Sequence, residues 1–354
     1  MPRNTLQVKV GPVTVGGGAP IRVQSMVKVP TTCVQAVVKQ IKTLADAGCE
    51  IVRLAVANQA AAKALSAIRK KSPLPLVADI HFIPSLARAA LEAGIDKIRI
   101  NPGNMVWNRE LEAFFAAAAQ RRVPVRLGVN SGSVAERHDA RSPLSASLRK
   151  LMMFVRSAER SGFRDLVLSY KSSSVTETID AYRFLAGHTR YPLHLGLTAS
   201  GTTRTGLLKS ALVLGVLLEE GIGDTVRVSL AGPAEDEVWA AWEILHALGL
   251  RKKSTPEIMA CPTCGRAHLD TARVADQLEQ LVGRAALPLK VAVMGCEVNG
   301  PGEAREADLG VAGYRGGATL FVAGRVKGRF PSSRVLAALV KKMRDLGKDR
   351  KEKS

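Results

Sequence analysis

The sequence predicts an α/β protein: a TIM (β/α)8 barrel followed by a small α+β domain. Short β-branched segments alternate with alanine- and leucine-rich segments of helical spacing from Ile21 to Leu248. Eight strand–helix pairs in about 230 residues match a TIM barrel, and this number favours the barrel over a doubly wound open sheet. Near Lys252 the alternation stops, and cysteines and Gly/Pro-rich turns begin.

The sequence predicts an N-terminal hairpin before the barrel. Apolar and polar residues alternate between Thr5 and Pro20 on both sides of a Gly11-Pro12 turn. The predicted strands are Ile21–Met26, Ile51–Val56, Leu76–Ile80, Lys97–Asn101, Val125–Asn130, Leu166–Lys171, Leu193–Thr198 and Thr225–Leu230. The predicted helices are Val34–Ala47, Gln59–Lys70, Ser85–Ala93, Arg109–Arg121, Ser145–Ser161, Val175–Ala186, Leu207–Glu220 and Glu235–Leu248. Glycine commonly follows these helices, as expected at a helix C-terminus.

The last part of the chain has a different order of elements. The pattern predicts a helix over Thr271–Arg284, strands over Leu289–Met294, Leu309–Ala312 and Ala318–Val322, and a final helix over Ser332–Leu346. We therefore expect a barrel domain, with its hairpin, over residues 1–251 and a second domain over residues 252–354.

The composition limits the class of protein. Hydrophobic residues make up 46% of the 354 residues but form short runs, well below the roughly 18–20 residues of a membrane span. The N-terminus begins no targeting peptide, so we expect a cytoplasmic protein without a membrane partner. The net charge of +20 suits anionic partners. Aromatic residues are only 4%, and the absence of a nucleic-acid-binding motif argues against nucleic acid as the partner.

Polar residues stand at the C-terminal ends of the predicted strands, where TIM-barrel active sites lie. They are Gln24 and Ser25, Arg53, Asp79 and His81, Arg99 and Asn101, Arg126 and Asn130, Lys171, His194 and Thr198, and Arg227 and Ser229. Several cations buried together are costly unless an anion joins them, and guanidinium groups bind phosphate through two hydrogen bonds. The pattern favours a site for a small di- or polyphosphate ester over structural ion pairs.

Asp79-Ile80-His81 places two titratable side chains on one face of a strand end. An acid–base pair is one interpretation, and a carboxylate that merely orients a packed histidine is the other.

Three cysteines define the second domain. Cys261 and Cys264 form a Cys-x-x-Cys pair, and Cys296 begins a turn that ends at Glu303. Three thiolates and one replaceable carboxylate suit an iron–sulfur cluster with one open corner. Structural zinc with His268 is the main alternative. A thioredoxin-like pair is disfavoured because the sequence shows no βαβ unit around the motif, and an odd cysteine count disfavours disulfides. The other two cysteines, Cys33 and Cys49, are interpreted as core residues.

Together these segments resemble the 4-hydroxy-3-methylbut-2-en-1-yl diphosphate synthase family over nearly the whole chain. The matching segments are Val23–Met26, Pro75–Phe82, Arg99–Asn104, Pro192–Gly196, Glu220–Thr225, Arg227–Leu230, Cys261–Arg266, Met294–Cys296 and Asn299–Glu303.

The resemblance implies an iron–sulfur oxidoreductase of isoprenoid biosynthesis. It would open 2-C-methyl-D-erythritol 2,4-cyclodiphosphate by reductive dehydroxylation, with electrons from flavodoxin or ferredoxin. A 4Fe-4S cluster would lie on Cys261, Cys264, Cys296 and Glu303. The implied protein is a homodimer whose active site spans both subunits. The family's diphosphate-binding positions fall on Arg53, Arg99, Arg126, Lys171, Arg227 and Ser229, with Asn101 and Asn130 beside them.

The chain departs from the family pattern at several strand ends. Ala199 stands where the family has a glutamate implicated in proton transfer, and alanine cannot transfer a proton. Met26-Val27-Lys28-Val29 replaces a turn that contains threonine and asparagine. Three hypotheses follow: a working synthase protonated through His81, Asp79 or water; a paralogue for a related phosphorylated substrate; or a cluster-bearing protein for binding or sensing.

Overall fold

The computed structural model describes residues 2–131, 146–198, 201–252, 255–282, 287–298 and 300–351. The chain forms two compact units that divide after Arg251. Within the described ranges, no helix is both long and apolar enough to cross a membrane.

The first unit is a barrel of eight parallel strands preceded by a hairpin. The hairpin strands pair antiparallel and are β1 (Val8–Val10) and β2 (Val13–Val15). The barrel strands are β3 (Arg22–Met26), β4 (Ile51–Val56), β5 (Leu76–Ile80), β6 (Lys97–Ile100), β7 (Val125–Asn130), β8 (Leu166–Lys171), β9 (His194–Leu195) and β10 (Thr225–Val226). Each strand from β3 to β8 pairs with the next, β10 pairs with β9 and β3, and a bridge from Leu168 to Leu193 brings β8 beside β9. The predicted TIM barrel is confirmed.

Helices surround the barrel and alternate with its strands. They are α1 (Val34–Asp46), α2 (Gln59–Lys71), α3 (Pro84–Glu92), α4 (Arg109–Gln120), α5 (Ala146–Arg160), α6 (Val175–His188), α7 (Thr203–Glu219) and α8 (Ala234–Ala247). Each turns an apolar stripe towards the strands, as Val37, Ile41 and Leu44 of α1 do. One continuous apolar cluster therefore fills the space between the strands and the helices.

The last two barrel strands are much shorter than the sequence predicted. β9 and β10 have two residues each, whereas the expected strands reached Thr198 and Leu230. Beyond these short strands the chain carries polar side chains that line the barrel mouth. β-branched residues favour an extended backbone, but they do not show whether the extended segment pairs with a neighbouring strand. The sequence therefore could not distinguish a paired strand from an extended loop.

The second unit is a five-stranded mixed sheet in the order β11-β12-β13-β14-β15. Its strands are β11 (Glu257–Ala260), β12 (Lys290–Met294), β13 (Leu309–Tyr314), β14 (Gly317–Val322) and β15 (Arg325–Pro331). Its helices are α9 (Thr271–Val282), α10 (Gly300–Glu306) and α11 (Val335–Lys351). The sequence missed β11, α10 and β15, because the two strands are largely exposed and the helix is short and glycine-rich.

The Cys-x-x-Cys motif lies inside a βαβ unit, which corrects the sequence interpretation. β11 leads directly into Cys261, α9 follows, and β12 returns parallel to β11. The missed strand β11 explains the error.

A glycine on β13 sets how closely α10 approaches the sheet. A Cβ atom on Gly310 would lie 2.8 Å from Ala304 Cβ and 2.9 Å from the Ala304 backbone. Only a residue without a side chain allows this contact.

We expect Gly310→Ala to lower the free energy of unfolding by about 1–3 kcal/mol, because the added methyl group overpacks the helix against the strand. Thermal and urea unfolding would measure the change. Gly302→Ala is the matched control, since a Cβ there meets nothing within 4 Å. Equal stability of both variants would contradict the close packing.

Candidate functional site

A cavity of about 360 Å³ opens at the C-terminal ends of the barrel strands. Its polar lining includes nine of the ten barrel positions that were assigned to diphosphate binding or to the acid–base pair: Arg53, Asp79, His81, Arg99, Arg126, Asn130, Lys171, Arg227 and Ser229. The tenth, Asn101, is buried nearby, where its Oδ1 accepts a hydrogen bond from Gly103 N (3.0 Å). Ser169, Leu197 and Thr198 also line the cavity.

Asp79 is a shared partner for the cations of this cavity. Its Oδ1 accepts from Arg99 Nη1 at 2.7 Å, and its Oδ2 lies 3.4 Å from Arg53 Nε. Burial alone would raise the pKa of Asp79, but the neighbouring Arg99 and Arg53 guanidinium groups hold it well below its usual range. The carboxylate is therefore ionised at neutral pH.

His81 adjoins this ion pair and faces the cavity. Its Nε2 lies 2.5 Å from Arg99 Nη1 and 3.3 Å from Asp79 Oδ1, while Asn104 Nδ2 lies 3.0 Å from its Nδ1. A guanidinium only donates, so the close approach of Arg99 Nη1 makes Nε2 the acceptor and leaves the proton of a neutral ring on Nδ1. The side chain is 35% exposed, so the imidazole can meet both solvent and a ligand.

Two further cations have polar atoms without a hydrogen-bond partner in the described part of the chain. Arg126 and Lys171 are buried, and the atoms are Arg126 Nε and Nη1 and Lys171 Nζ. Burial, followed by the nearby guanidinium groups, lowers the pKa of Lys171 well below its usual range. Burial also lowers the pKa of Arg53 to about 10, although Asp79 opposes the shift. Such a cluster is stabilised when an anion enters.

The fifth cation, Arg227, is held by a carboxylate that sequence reasoning missed. Glu237 on α8 accepts from Arg227 Nε at 3.1 Å and from Nη2 at 3.0 Å, and Arg227 Nη1 donates to Ser229 Oγ at 2.5 Å. Glu237 stands in an acidic helix start, Glu235-Asp236-Glu237, which resembles an ordinary solvated helix N-terminus. Only its burial, at 1% exposure, distinguishes it.

The cysteines of the second unit follow the ends of two neighbouring parallel strands. Cys261 comes directly after β11, Cys296 follows β12 by two residues, and Cys261 N donates to Val293 O at 3.0 Å. His268 N donates to Gly295 O at 2.7 Å, which ties the Cys-x-x-Cys loop to the turn that carries Cys296. Cys264 is exposed, and Cys261 and Cys296 are partly buried.

Glu303 lies in the first turn of α10, and its side chain is exposed. Cys261 packs against the apolar cluster that also contains Ala304 of α10, so the thiol and this helix lie on the same side of the sheet. Among the described side chains, no three histidines, cysteines or carboxylates are arranged to hold a metal ion.

The two remaining cysteines differ from each other. Cys49 is buried, and burial raises the pKa of its thiol to about 12. Cys33 is exposed, so the expectation that it belongs to the core is wrong. It lies immediately before α1, where the apolar spacing of the helix has not yet begun.

Family comparisons cover both units. The GcpE TIM-barrel domain matches residues 5–242, and the GcpE protein C-terminal domain matches residues 257–345. The chain belongs to the GcpE family. The resemblance inferred from the motifs is thereby confirmed.

Curated GcpE relatives share the name 4-hydroxy-3-methylbut-2-en-1-yl diphosphate synthase (flavodoxin). One from Geobacter sulfurreducens is 47% identical and covers 96% of this chain and 97% of the relative. Another from Lawsonia intracellularis is 48% identical and covers 92% of this chain and 91% of the relative. A solved structure of Yersinia pestis dihydropteroate synthase with a sulfonamide drug has a TM-score of 0.51 at 14% identity, covering 70% of this chain and all of that one. This last similarity concerns the fold alone.

The lowered pKa of Lys171 predicts how anion binding depends on pH. A protonated Lys171 attracts an oxyanion, so we expect the rise in Tm caused by sulfate to shrink as the pH increases through the lowered pKa. Sulfate suits the test because it stays fully ionised at neutral and alkaline pH, so that only groups of the protein titrate. Differential scanning fluorimetry would measure the shift.

Lys171→Met is the comparison variant for this measurement. It should show a smaller sulfate effect that stays constant over the same pH interval. A native shift that stays flat, or that grows with pH, would contradict the proposed contact between Lys171 and the anion.

Proposed function

We propose that this GcpE family member is a 4-hydroxy-3-methylbut-2-en-1-yl diphosphate synthase. It would act as an iron–sulfur oxidoreductase of isoprenoid biosynthesis that opens 2-C-methyl-D-erythritol 2,4-cyclodiphosphate. The reaction adds two electrons and releases one hydroxyl group as water. The observation that carries the proposal is the barrel mouth, where four arginines and one lysine surround a single cavity. A cyclic diphosphate supplies the anionic charge that this cavity needs.

The cations would bind the diphosphate and fix the orientation of the carbon ring. Arg126 and Lys171 have buried polar atoms available for a ligand, while Arg99 is oriented by Asp79 and by Gly128 O, to which its Nη2 donates at 2.9 Å. Gly128 leaves room for this arrangement, because a Cβ there would lie 2.4 Å from Ser169 Oγ. Donors that are fixed before the substrate arrives lower the reorganisation needed during the reaction.

Asp79 and His81 are proposed as the acid–base pair. His81 lies 3.3 Å from the ionised Asp79 and reaches the cavity, as an acid–base group must. The imidazole could thus hold the proton that the leaving oxygen requires. Ala199, at the position of the family glutamate, lies outside the described residues, as do its neighbour Ser200 and Asn299.

A 4Fe-4S cluster on Cys261, Cys264, Cys296 and Glu303 is proposed as the resident cofactor. Three thiols and a carboxylate form a suitable donor set, and the backbone bond from His268 to Gly295 supports the closeness of the two cysteine loops. When bound, such a cluster supplies single electrons. The exposed Glu303 would be the exchangeable ligand.

The partners follow from the same family membership. The curated relatives carry flavodoxin in their names, so flavodoxin is the proposed electron donor, and ferredoxin stays an alternative. A homodimer with an active site across subunits, and a cytoplasmic location, stay predictions. A diverged paralogue is the competing function, and Ala199 is the observation that favours it.

The cofactor proposal predicts a cluster that depends on particular cysteines. After anaerobic reconstitution, the native protein should bind about four iron and four sulfide per chain, and Cys264→Ser should lose most of both. Iron and sulfide analysis with electron paramagnetic resonance would measure this. Cys33→Ser is the matched control, because Cys33 is exposed and lies outside the donor set. Tight zinc in place of iron would refute the proposal.

The substrate proposal predicts turnover of the cyclic diphosphate with reduced flavodoxin. Arg126→Met should reduce kcat/KM by about a hundredfold or more, because it removes a buried cation from the cavity. Arg88→Met, on an exposed face of α3, should leave the rate unchanged. Equal rates for both variants would mean that the anion binds elsewhere.

The same assay on Ala199→Glu separates the competing functions. Turnover by the native chain would establish a synthase that works without the family glutamate. A native chain with an intact cluster and no turnover, rescued by Ala199→Glu, would establish the diverged protein instead.

A further inference from the structure

The barrel has a weak seam between β3 and β10. Their ladder comprises two residue pairs, Thr225 with Arg22 and Val226 with Val23, whereas the ladder between β7 and β8 comprises six. Above this short ladder, β3 continues through Ser25, and the chain after β10 continues through Arg227 towards the cavity. Backbone pairing alone therefore holds this part of the mouth less firmly than the opposite part.

The carboxylate of Glu237 spans the seam. On the β10 side, it accepts two hydrogen bonds from Arg227. On the β3 side, Ser25 Oγ lies 3.3 Å from its Oε2. Leu230 N donates to its Oε1 at 3.1 Å, which fixes the loop after β10. With a side chain exposure of 0%, this carboxylate is shielded from water, so each of these contacts is stronger than on the surface.

Lys28 reinforces the same seam from the loop after β3. Its Nζ lies 2.9 Å from Glu237 Oε1, donates to Leu230 O at 3.0 Å, and also donates to Gly232 O. One ammonium group thereby ties the end of β3 to the loop between β10 and α8. Lys28 belongs to the turn in which this chain departs from the family pattern.

The orientation of Arg227 leaves part of its guanidinium for a ligand. A guanidinium has five N–H donors. Glu237 engages one on Nε and one on Nη2, and Ser229 engages one on Nη1. One N–H on each terminal nitrogen remains, and Arg227 lines the cavity. A terminal guanidinium N–H in a cavity can donate a charge-assisted hydrogen bond to a phosphate oxygen.

We propose that Glu237 and Lys28 form a seam latch that positions Arg227 and Ser229 for the diphosphate. The inference rests on the proposed function and deepens it by assigning two positioning residues. Neither residue needs to touch the substrate. Glu237 also offsets part of the positive charge that Arg227 and Lys28 bring to the mouth, so that Arg227 stays in place before the anion arrives.

Binding of inorganic diphosphate to the cluster-free protein tests the latch, because it requires neither electrons nor turnover. Isothermal titration calorimetry should show an affinity loss of about tenfold or more for Glu237→Gln, which keeps the shape but removes the charge. Asp236→Asn, one residue away and exposed, is the control and should bind like the native protein.

Lys28→Met provides a second variant, in which the buried carboxylate of Glu237 is kept and its partner from the loop after β3 is removed. We expect a smaller loss of diphosphate affinity, because Glu237 keeps its two hydrogen bonds from Arg227. In the reconstituted enzyme, Glu237→Gln and Lys28→Met should raise KM more than they lower kcat, since both act on binding of the anionic end.

The possible outcomes separate the latch from the proposed function. If the native protein binds diphosphate and both latch variants bind it equally well, the latch is refuted while the substrate site stands. If the native protein binds no diphosphate, the proposed site is wrong and the latch is refuted with it. A Glu237→Gln protein that does not fold leaves the decision to Lys28→Met, whose unchanged affinity would overturn the proposal.

Discussion

The ion pairs of Asp79 with Arg99 and Arg53 are the interaction on which the barrel mouth depends. One buried carboxylate orients two guanidinium groups and a histidine, while Arg126 and Lys171 lie in the same cavity. Removing one partner of a buried pair costs about 3–5 kcal/mol, because the other charge is left uncompensated. The side chains that line the cavity thus include more cationic than anionic groups, which suits an anionic ligand.

The sequence predicted much of this arrangement because parallel strands impose a simple geometry. Arg53, Arg99 and Arg126 interrupt apolar strand segments, and a barrel can gather such long side chains at one mouth. The cysteines were equally visible, because thiols at close spacing have few common uses. What remained hidden were contacts that no local pattern encodes. In the sequence, Glu237 looks like a solvated residue at the start of a helix, and only the structure shows that it is buried. Likewise, the segments around β9 and β10 look like full strands, and only the structure shows that two residues of each are paired.

The second unit shows a related limit of sequence reasoning. β11 and β15 are the edge strands of its sheet, and an edge strand need not alternate clearly between apolar and polar residues. Missing β11 led to a wrong statement about the surroundings of Cys261. Cys261 and Cys296 follow the ends of two neighbouring parallel strands, so backbone direction rather than residue type places both at one edge of the sheet.

The two-residue ladders of β9 and β10 have a consequence for how the molecule opens. Few backbone hydrogen bonds protect these two strands. We therefore expect their amide hydrogens to exchange with solvent faster than those of β7 or β8, through local opening of the barrel. A ligand bound in the cavity would add hydrogen bonds next to β9 and β10 and slow the exchange of their amide hydrogens. β9 and β10 are therefore the strands of the barrel whose order would gain most from a ligand bound at the mouth.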